Sequence, residues 1–145
     1  MSIFNRNTIY EGILAGVLIS LFLGTLSVAG DYGGEVIKYF KFLFLFAIVA
    51  YALYRVKKVT EGSEFLVASI SKGFGISVIG GFIVTVVNFV LFLINPDFSI
   101  QKYTLIPTTP GQVHLVNLLL MIEFVIAGLL SAFIMFQGLK YRNIE

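Results

Sequence analysis

Residues 63–98, SEFLVASISKGFGISVIGGFIVTVVNFVLFLINPDF, contain the segment that decides the fold of this chain. The sequence is uncharged and mainly apolar from Gly73 to Ile94, and a turn sequence, NPD, follows directly. These 22 residues, as a helix rising about 1.5 Å per residue, span about 33 Å. The hydrocarbon core of a bilayer is about 30 Å thick, so we predict a transmembrane helix that ends at Ile94.

The composition of the whole chain agrees with a membrane location. Of its 145 residues, 58% are hydrophobic and only 12% are charged, whereas soluble domains carry about 25% charged residues. The chain has no cysteine and one histidine, which excludes disulfides, thiolate metal ligands and cysteine nucleophiles. We therefore expect a single membrane domain over residues 1–145, with no bound metal and no cofactor.

Three further apolar segments complete the predicted fold. Together with the central segment, they place helices at about residues 10–30, 36–55, 63–94 and 110–138. A short polar head precedes the first helix, and a glycine-rich turn separates the first helix from the second. The predicted fold class is all-α, an integral membrane bundle of four transmembrane helices.

The longest loop, residues 95–109, joins the third and fourth helices. Thr109 as cap and Pro110 in the first turn indicate where the fourth helix begins. We expect the apolar side chains of this loop to lie against the membrane interface or to fold over the helix ends: Phe98, Tyr103, Leu105 and Ile106.

The basic residues predict the orientation of the bundle, because loops rich in Lys and Arg remain in the cytoplasm. Seven lie in the N-terminal head, in the connector and start of the third helix, and in the C-terminal tail: Arg6, Arg55, Lys57, Lys58, Lys72, Lys140 and Arg142. Three lie on the other side: Lys38, Lys41 and Lys102. We predict that both termini are cytoplasmic and that loop 95–109 faces outward.

Two helices carry small residues at every fourth position, which allows a neighbouring helix to approach closely in lipid. The first helix has Gly12, Gly16, Ser20 and Gly24, and the third has Gly73, Ser77, Gly81 and Thr85. We expect these rows to pack helices within the bundle, with homodimerisation as the alternative.

Glu123 is the one carboxyl predicted to lie well inside a span, about ten residues into the fourth helix. A charge at that depth costs about 3 kcal/mol on insertion scales unless it is paired, protonated or hydrated. Asn88 is the preferred partner and Asn117 a weaker one, while Lys41 could serve only if the second helix starts further out. The favoured role is a protonated carboxyl that fixes helix register, and the alternative is a polar site for a proton, cation or ligand.

The remaining polar residues are expected at the membrane interface. Arg55, Lys57 and Lys58 are predicted to contact anionic lipid headgroups and to set the topology. His114 is expected to be a solvated or capping side chain rather than a ligand-binding one. The expected partners are the lipid bilayer and the chain itself or other membrane subunits, with no nucleic acid.

The order of several short motifs resembles a known family. A basic connector, the entry Ser63-Glu64-Phe65, the step Lys72-Gly73, a long apolar span and the exit Asn95-Pro96-Asp97-Phe98 resemble the domain of unknown function 4199 (DUF4199). The layout is similar over nearly the whole chain, and the distinctive motifs lie between Gly62 and Phe98. The resemblance implies a small multi-pass protein of the bacterial inner membrane, from Bacteroidota, with no established activity and no family site residues.

The sequence favours a non-enzymatic function. Short loops leave little polar surface for an active site, and the spans carry no Ser/Lys, Asp/Asp or His-cluster constellation. We expect a structural or accessory subunit of a membrane assembly, or a self-associating bundle. The alternative is a small proton- or cation-coupled transporter or channel that uses Glu123.

Overall fold

The chain forms four long α-helices in a computed structural model that describes residues 4–29, 34–60, 62–98, 100–106 and 112–140. The helices are α1 (Arg6–Ala29), α2 (Phe40–Lys57), α3 (Gly62–Ile94) and α4 (Val113–Leu139). Short 3-10 segments cover Gly34–Tyr39, Pro96–Phe98 and Ile100–Tyr103. The described residues contain no strand, and all four helices are long and apolar enough to cross a membrane. The all-α class with four such helices is confirmed.

The first helix begins four residues before the predicted start. Asn5 caps it, because its side-chain oxygen accepts hydrogen bonds from the backbone N–H and from the hydroxyl of Thr8, both at 2.9 Å. An asparagine cap satisfies backbone donors that would otherwise lack partners. Residues 6–10, predicted as part of a polar head, are therefore helical.

The other helix boundaries differ from the prediction by a few residues. The start of the second span, from Gly34 to Tyr39, is 3-10 helix rather than α-helix. Gln112 precedes α4 without a side-chain cap hydrogen bond, and the predicted cap at Thr109 and Pro110 lies outside the described residues. At its other end α4 continues to Leu139, into the predicted polar tail.

Helix α3 is the centre of the bundle, since it packs most extensively against α4 and α1. Helix α2 lies on the remaining side, where it contacts α4, α1 and, less extensively, α3. We call the end formed by the starts of α2 and α4 and by residues 96–106 the loop end. The end formed by the starts of α1 and α3 is the opposite end.

The small residues of α1 and α3 lie in close contacts between helices. A Cβ atom on Gly12 would stand 2.6 Å from the Cβ of Ile79, and one on Gly16 would stand 2.7 Å from that of Ile83, so these two positions face α3. A Cβ on Gly73 would stand 2.5 Å from that of Ala132, so the row on α3 faces α4.

The same row on α1 packs less closely against α3 toward its end. Residues four apart are about 40° apart around a straight helix, so Gly24 lies about 120° around from Gly12. A Cβ on Gly24 would have Leu91 as its nearest neighbour, at 3.9 Å. Ser20 is buried, and Thr85 on α3 uses its hydroxyl to bond the carbonyl of Phe82 at 2.8 Å.

Candidate functional site

A buried ion pair joins α2 to α4 near the loop end. Lys41 Nζ stands 2.6 Å from Glu123 Oε2, with the lysine side chain fully buried and the glutamate side chain 6% exposed. Lys41 is the second residue of α2, whereas Glu123 is ten residues into α4, or about 15 Å along its axis. The short α2 therefore begins at the depth that Glu123 occupies.

The loop supplies the other hydrogen-bond partners of Lys41 and Glu123. Lys41 Nζ also donates a hydrogen bond to the carbonyl oxygen of Tyr103 at 2.7 Å. The backbone N–H of Leu105 donates to Glu123 Oε1 at 2.6 Å. Because Ile100, Tyr103 and Thr104 are almost fully buried, residues 100–105 fold back into the end of the bundle rather than projecting outward.

An asparagine pair holds the other end of the same loop segment. Asn88 Nδ2 donates to Asn117 Oδ1 at 2.7 Å, and Asn88 Oδ1 accepts the N–H of Ile100 at 2.7 Å. Asn88 thus binds Asn117 and the loop instead of Glu123. Depth explains the difference: Asn88 lies about 9 Å from the end of α3 and Asn117 about 6 Å from the start of α4, both nearer the loop end than Glu123.

A groove runs between α2 and α4 beside the ion pair, with a cavity volume of about 510 Å³. It follows α4 from Leu119 to Ile134, a distance of about 22 Å. Phe42 and Phe46 of α2 form part of its other wall. Among the described residues that line the groove, Glu123 is the only ionisable one and Ser131 the only other polar one, and the rest are apolar.

A second buried charge cluster lies at the opposite end of the bundle. Lys72 Nζ stands 2.6 Å from Glu11 Oε2 and donates a hydrogen bond to Thr8 Oγ1 at 2.9 Å. Arg55, whose side chain is 52% exposed, reaches the same glutamate at 3.8 Å. The cluster joins α1 to α3 through buried charges and reaches α2 through a longer, solvated contact.

The predicted headgroup residues are each placed over an aromatic ring. Arg55 lies over Tyr51 at 5.9 Å, Lys57 over Phe65 at 5.2 Å and Lys58 over Tyr54 at 5.4 Å, measured to the ring centroids. Cations at such distances are attracted to the negative face of the ring. This arrangement holds the basic groups at the opposite end of the bundle.

His114 lies in the first turn of α4. The His114 side chain is exposed, with its ring 6.2 Å from that of Phe89. Within the described ranges, no group of three or more His, Cys, Asp or Glu residues is placed to hold a metal ion.

Sequence reasoning found Glu123 but missed Glu11 and gave Lys41 only a conditional role. In both cases the signal is an oppositely charged residue at a similar depth in the bundle on a neighbouring helix. Lys72 lies ten residues into α3 and Glu11 five residues into α1. Gly16 of α1 packs against Gly80 of α3, so α3 begins further out than α1, and this offset brings the two groups to a similar depth. Without knowing which helices are neighbours, this matching could not be made.

Comparison of the chain with protein families, with curated proteins and with solved structures found no match. The resemblance to DUF4199 therefore stays a prediction that rests on its motifs.

Proposed function

We propose that this chain is a non-enzymatic, multi-pass protein of the bacterial cytoplasmic membrane, acting as a structural or accessory subunit or as a self-associating bundle. The observation that carries this proposal is the use of its buried charges. Lys41 binds Glu123 and the loop, and Lys72 binds Glu11 and Thr8. These groups join helices and seat a loop, which is what a scaffold requires of them.

The distribution of charge supports an orientation with both termini in the cytoplasm. The described side chains at the opposite end include six basic residues, Arg6, Arg55, Lys57, Lys58, Lys72 and Lys140. They include two acidic ones at that end, Glu11 and Glu64. At the loop end the basic Lys38 and Lys41 are balanced by Asp97 and Glu123. A basic end prefers the cytoplasmic face.

Native mass spectrometry after gentle purification from the organism's own membranes tests the proposal. A self-associating bundle gives a mass that is two or more times 16.0 kDa, a whole multiple of the mass of one chain. An accessory subunit gives a complex that contains other chains in fixed ratio. A single chain without either kind of partner, recovered under conditions that preserve a known membrane complex, would contradict both forms of the proposal.

One observation favours the alternative function of a coupled transporter or channel. Glu123 forms part of the wall of the groove between α2 and α4, which places an ionisable residue beside any solute in that groove. Proton- or cation-coupled uptake of a solute into proteoliposomes should then be lost in the Glu123→Gln variant, while the variant still folds. A Glu123→Gln variant that keeps full transport would exclude this carboxylate as the coupling group.

A further inference from the structure

The groove between α2 and α4 has the chemistry of a binding site for one class of small molecule. We propose that it binds an elongated cationic amphiphile, with the positive head at Glu123 and the apolar chain extending toward Ile134. The proposal rests on the membrane location proposed above but not on transport or on self-association.

The shape of the groove fits a single chain rather than a compact molecule. Its volume of about 510 Å³ extends along α4 over about 22 Å, which leaves a narrow cross-section. Glu123 lies four residues from one end of the lining at Leu119 and eleven residues from the other end at Ile134. About 16 Å of wall, apolar except for Ser131, therefore lies on one side of Glu123, enough for an extended hydrocarbon chain.

The charge at Glu123 selects the sign of the head group. A carboxylate offers about four acceptor positions, and Lys41 and the N–H of Leu105 occupy one on each oxygen. Lys41 approaches from the buried side, where its side chain has no exposed surface, whereas Glu123 contributes to the groove wall. A cationic head in the groove would lie beside Glu123, whereas Lys41 is not among the residues that line the groove.

Lys41 then acts as a tethered competitor for the same carboxylate. When a cationic head takes up part of the charge of Glu123, Lys41 still has the carbonyl of Tyr103 as a partner. A buried ion pair is on average no more stabilising than apolar residues of the same size. The pair already seats the loop, but an ionisable residue in the wall of an intramembrane groove is also a candidate binding site by default.

The experiment uses the full chain in a neutral detergent and counts bound molecules by native mass spectrometry. The probe is dodecyltrimethylammonium, compared with dodecyl sulfate as an anion of the same chain length. We expect saturable binding of the cation in preference to the anion. Glu123→Gln removes a charge-assisted contact worth about 1.5–3 kcal/mol, so the dissociation constant of the cation should rise at least about tenfold.

The Lys41→Met variant tests whether Lys41 competes with the bound cation for Glu123. Removing the competing cation leaves the carboxylate uncompensated, so binding of dodecyltrimethylammonium should tighten, by about tenfold if one charged contact is released. Weaker cation binding in Lys41→Met, stronger binding of dodecyl sulfate in the wild type, or an unchanged dissociation constant in Glu123→Gln would each overturn the proposal.

A pair of alanine variants keeps the test valid if either charge variant fails to fold. Ala127 lines the groove about one helical turn from Glu123, on the side of Ile134, so Ala127→Phe should fill the groove and abolish binding. Ala47→Phe is the matched control, since Ala47 is exposed on α2 outside the groove lining, and it should bind as the wild type does. Equal binding by both variants would overturn the proposal. Carbonate extraction of wild-type membranes tests the membrane location separately.

Discussion

Lys41 and Glu123 illustrate how a buried charge can be required for stability without the pair as a whole adding to it. Each charged side chain depends on the other, because a buried charge without an oppositely charged partner strongly destabilises the fold. Together they also hold Tyr103 and Leu105 through backbone hydrogen bonds. The pair therefore fixes where the loop lies more than it raises the free energy of unfolding.

Removing one partner should cost far more than removing both. We expect Lys41→Met to lower the free energy of unfolding by about 3–5 kcal/mol, because it leaves Glu123 buried and unpaired. The double variant Lys41→Met/Glu123→Leu leaves no unpaired charge and loses only the hydrogen bonds to Tyr103 and Leu105, so we expect a smaller loss of about 1–2 kcal/mol. Reversible unfolding in mixed micelles, followed by far-ultraviolet circular dichroism, measures both. A double variant as unstable as the sum of the two single variants would show that the charges do not interact.

The cluster around Glu11 allows a comparison of a buried contact and an exposed one at a single carboxylate. Glu11→Gln leaves Lys72 buried without its charge partner, and we expect a loss of about 3–5 kcal/mol. Arg55→Gln removes a half-exposed group 3.8 Å away, for which less than about 1 kcal/mol is expected. The same unfolding assay applies. Equal losses in the two variants would mean that Arg55, and not Lys72, is the main partner of Glu11.

The sequence indicates which polar residues are unusual but not which of them contact each other. Glu123 stands out because it interrupts a long apolar run, and Asn88 stands out for the same reason. Glu11 does not, since it lies near a helix start, where acidic residues are common. The partners depend on relative depth and on helix neighbours, which are properties of the packed bundle.

The four helices differ in how they are packed, and their glycines show this at the scale of elements. Gly12 and Gly16 allow α1 to approach α3, and Gly73 allows α3 to approach α4, at distances that exclude a methyl group. Helix α2 carries no glycine and borders the groove against α4. The trio α1, α3 and α4 is therefore joined by close backbone contacts, and α2 is joined to it by side chains.

Adding one methyl group at these contacts should separate the helices. A Cβ on Gly16 would stand 2.9 Å from the carbonyl oxygen of Gly80, so Gly16→Ala should lower stability by about 1–3 kcal/mol through overpacking. Gly138 in α4 has no atom within 4 Å of its Cβ position, and Gly138→Ala should be neutral or stabilising by up to about 1 kcal/mol. Thermal unfolding in the same detergent compares them. If Gly16→Ala were as stable as Gly138→Ala, the contact between α1 and α3 would not be close.

Element boundaries could be predicted wherever length and apolarity decided them. The end of α3 at Ile94 follows from the turn residues after it, and its 33 residues include the apolar run that identified the membrane span. The start of α1 at Arg6 was missed because residues 6–10 are polar, although Asn5 and Thr8 form a recognisable cap. The apolar loop residues divide between the two expected positions, since Tyr103 is buried over the helix ends whereas Leu105 and Ile106 are exposed.

The arrangement of the whole bundle could not be predicted from the rows of small residues. Such rows indicate that a helix is approached closely, but they carry no information about which neighbour approaches. In the structure α3 uses Gly73 toward α4 and Gly80 toward α1, so it has two close partners. Helix α3 therefore packs closely through two faces, and Gly80 is the glycine on the face that contacts α1.

The absence of cysteine from the sequence makes the orientation of the whole molecule simple to test. Asp97 is exposed at the loop end and Lys58 is exposed at the basic, opposite end. Because the basic end should remain in the cytoplasm, Asp97→Cys should react in intact spheroplasts with a maleimide that cannot cross the membrane. Lys58→Cys should react only after the membrane is permeabilised. The cysteine-free wild type measures background labelling, and the reverse pattern would place the basic end outside and remove the support that charge gives to the proposed topology.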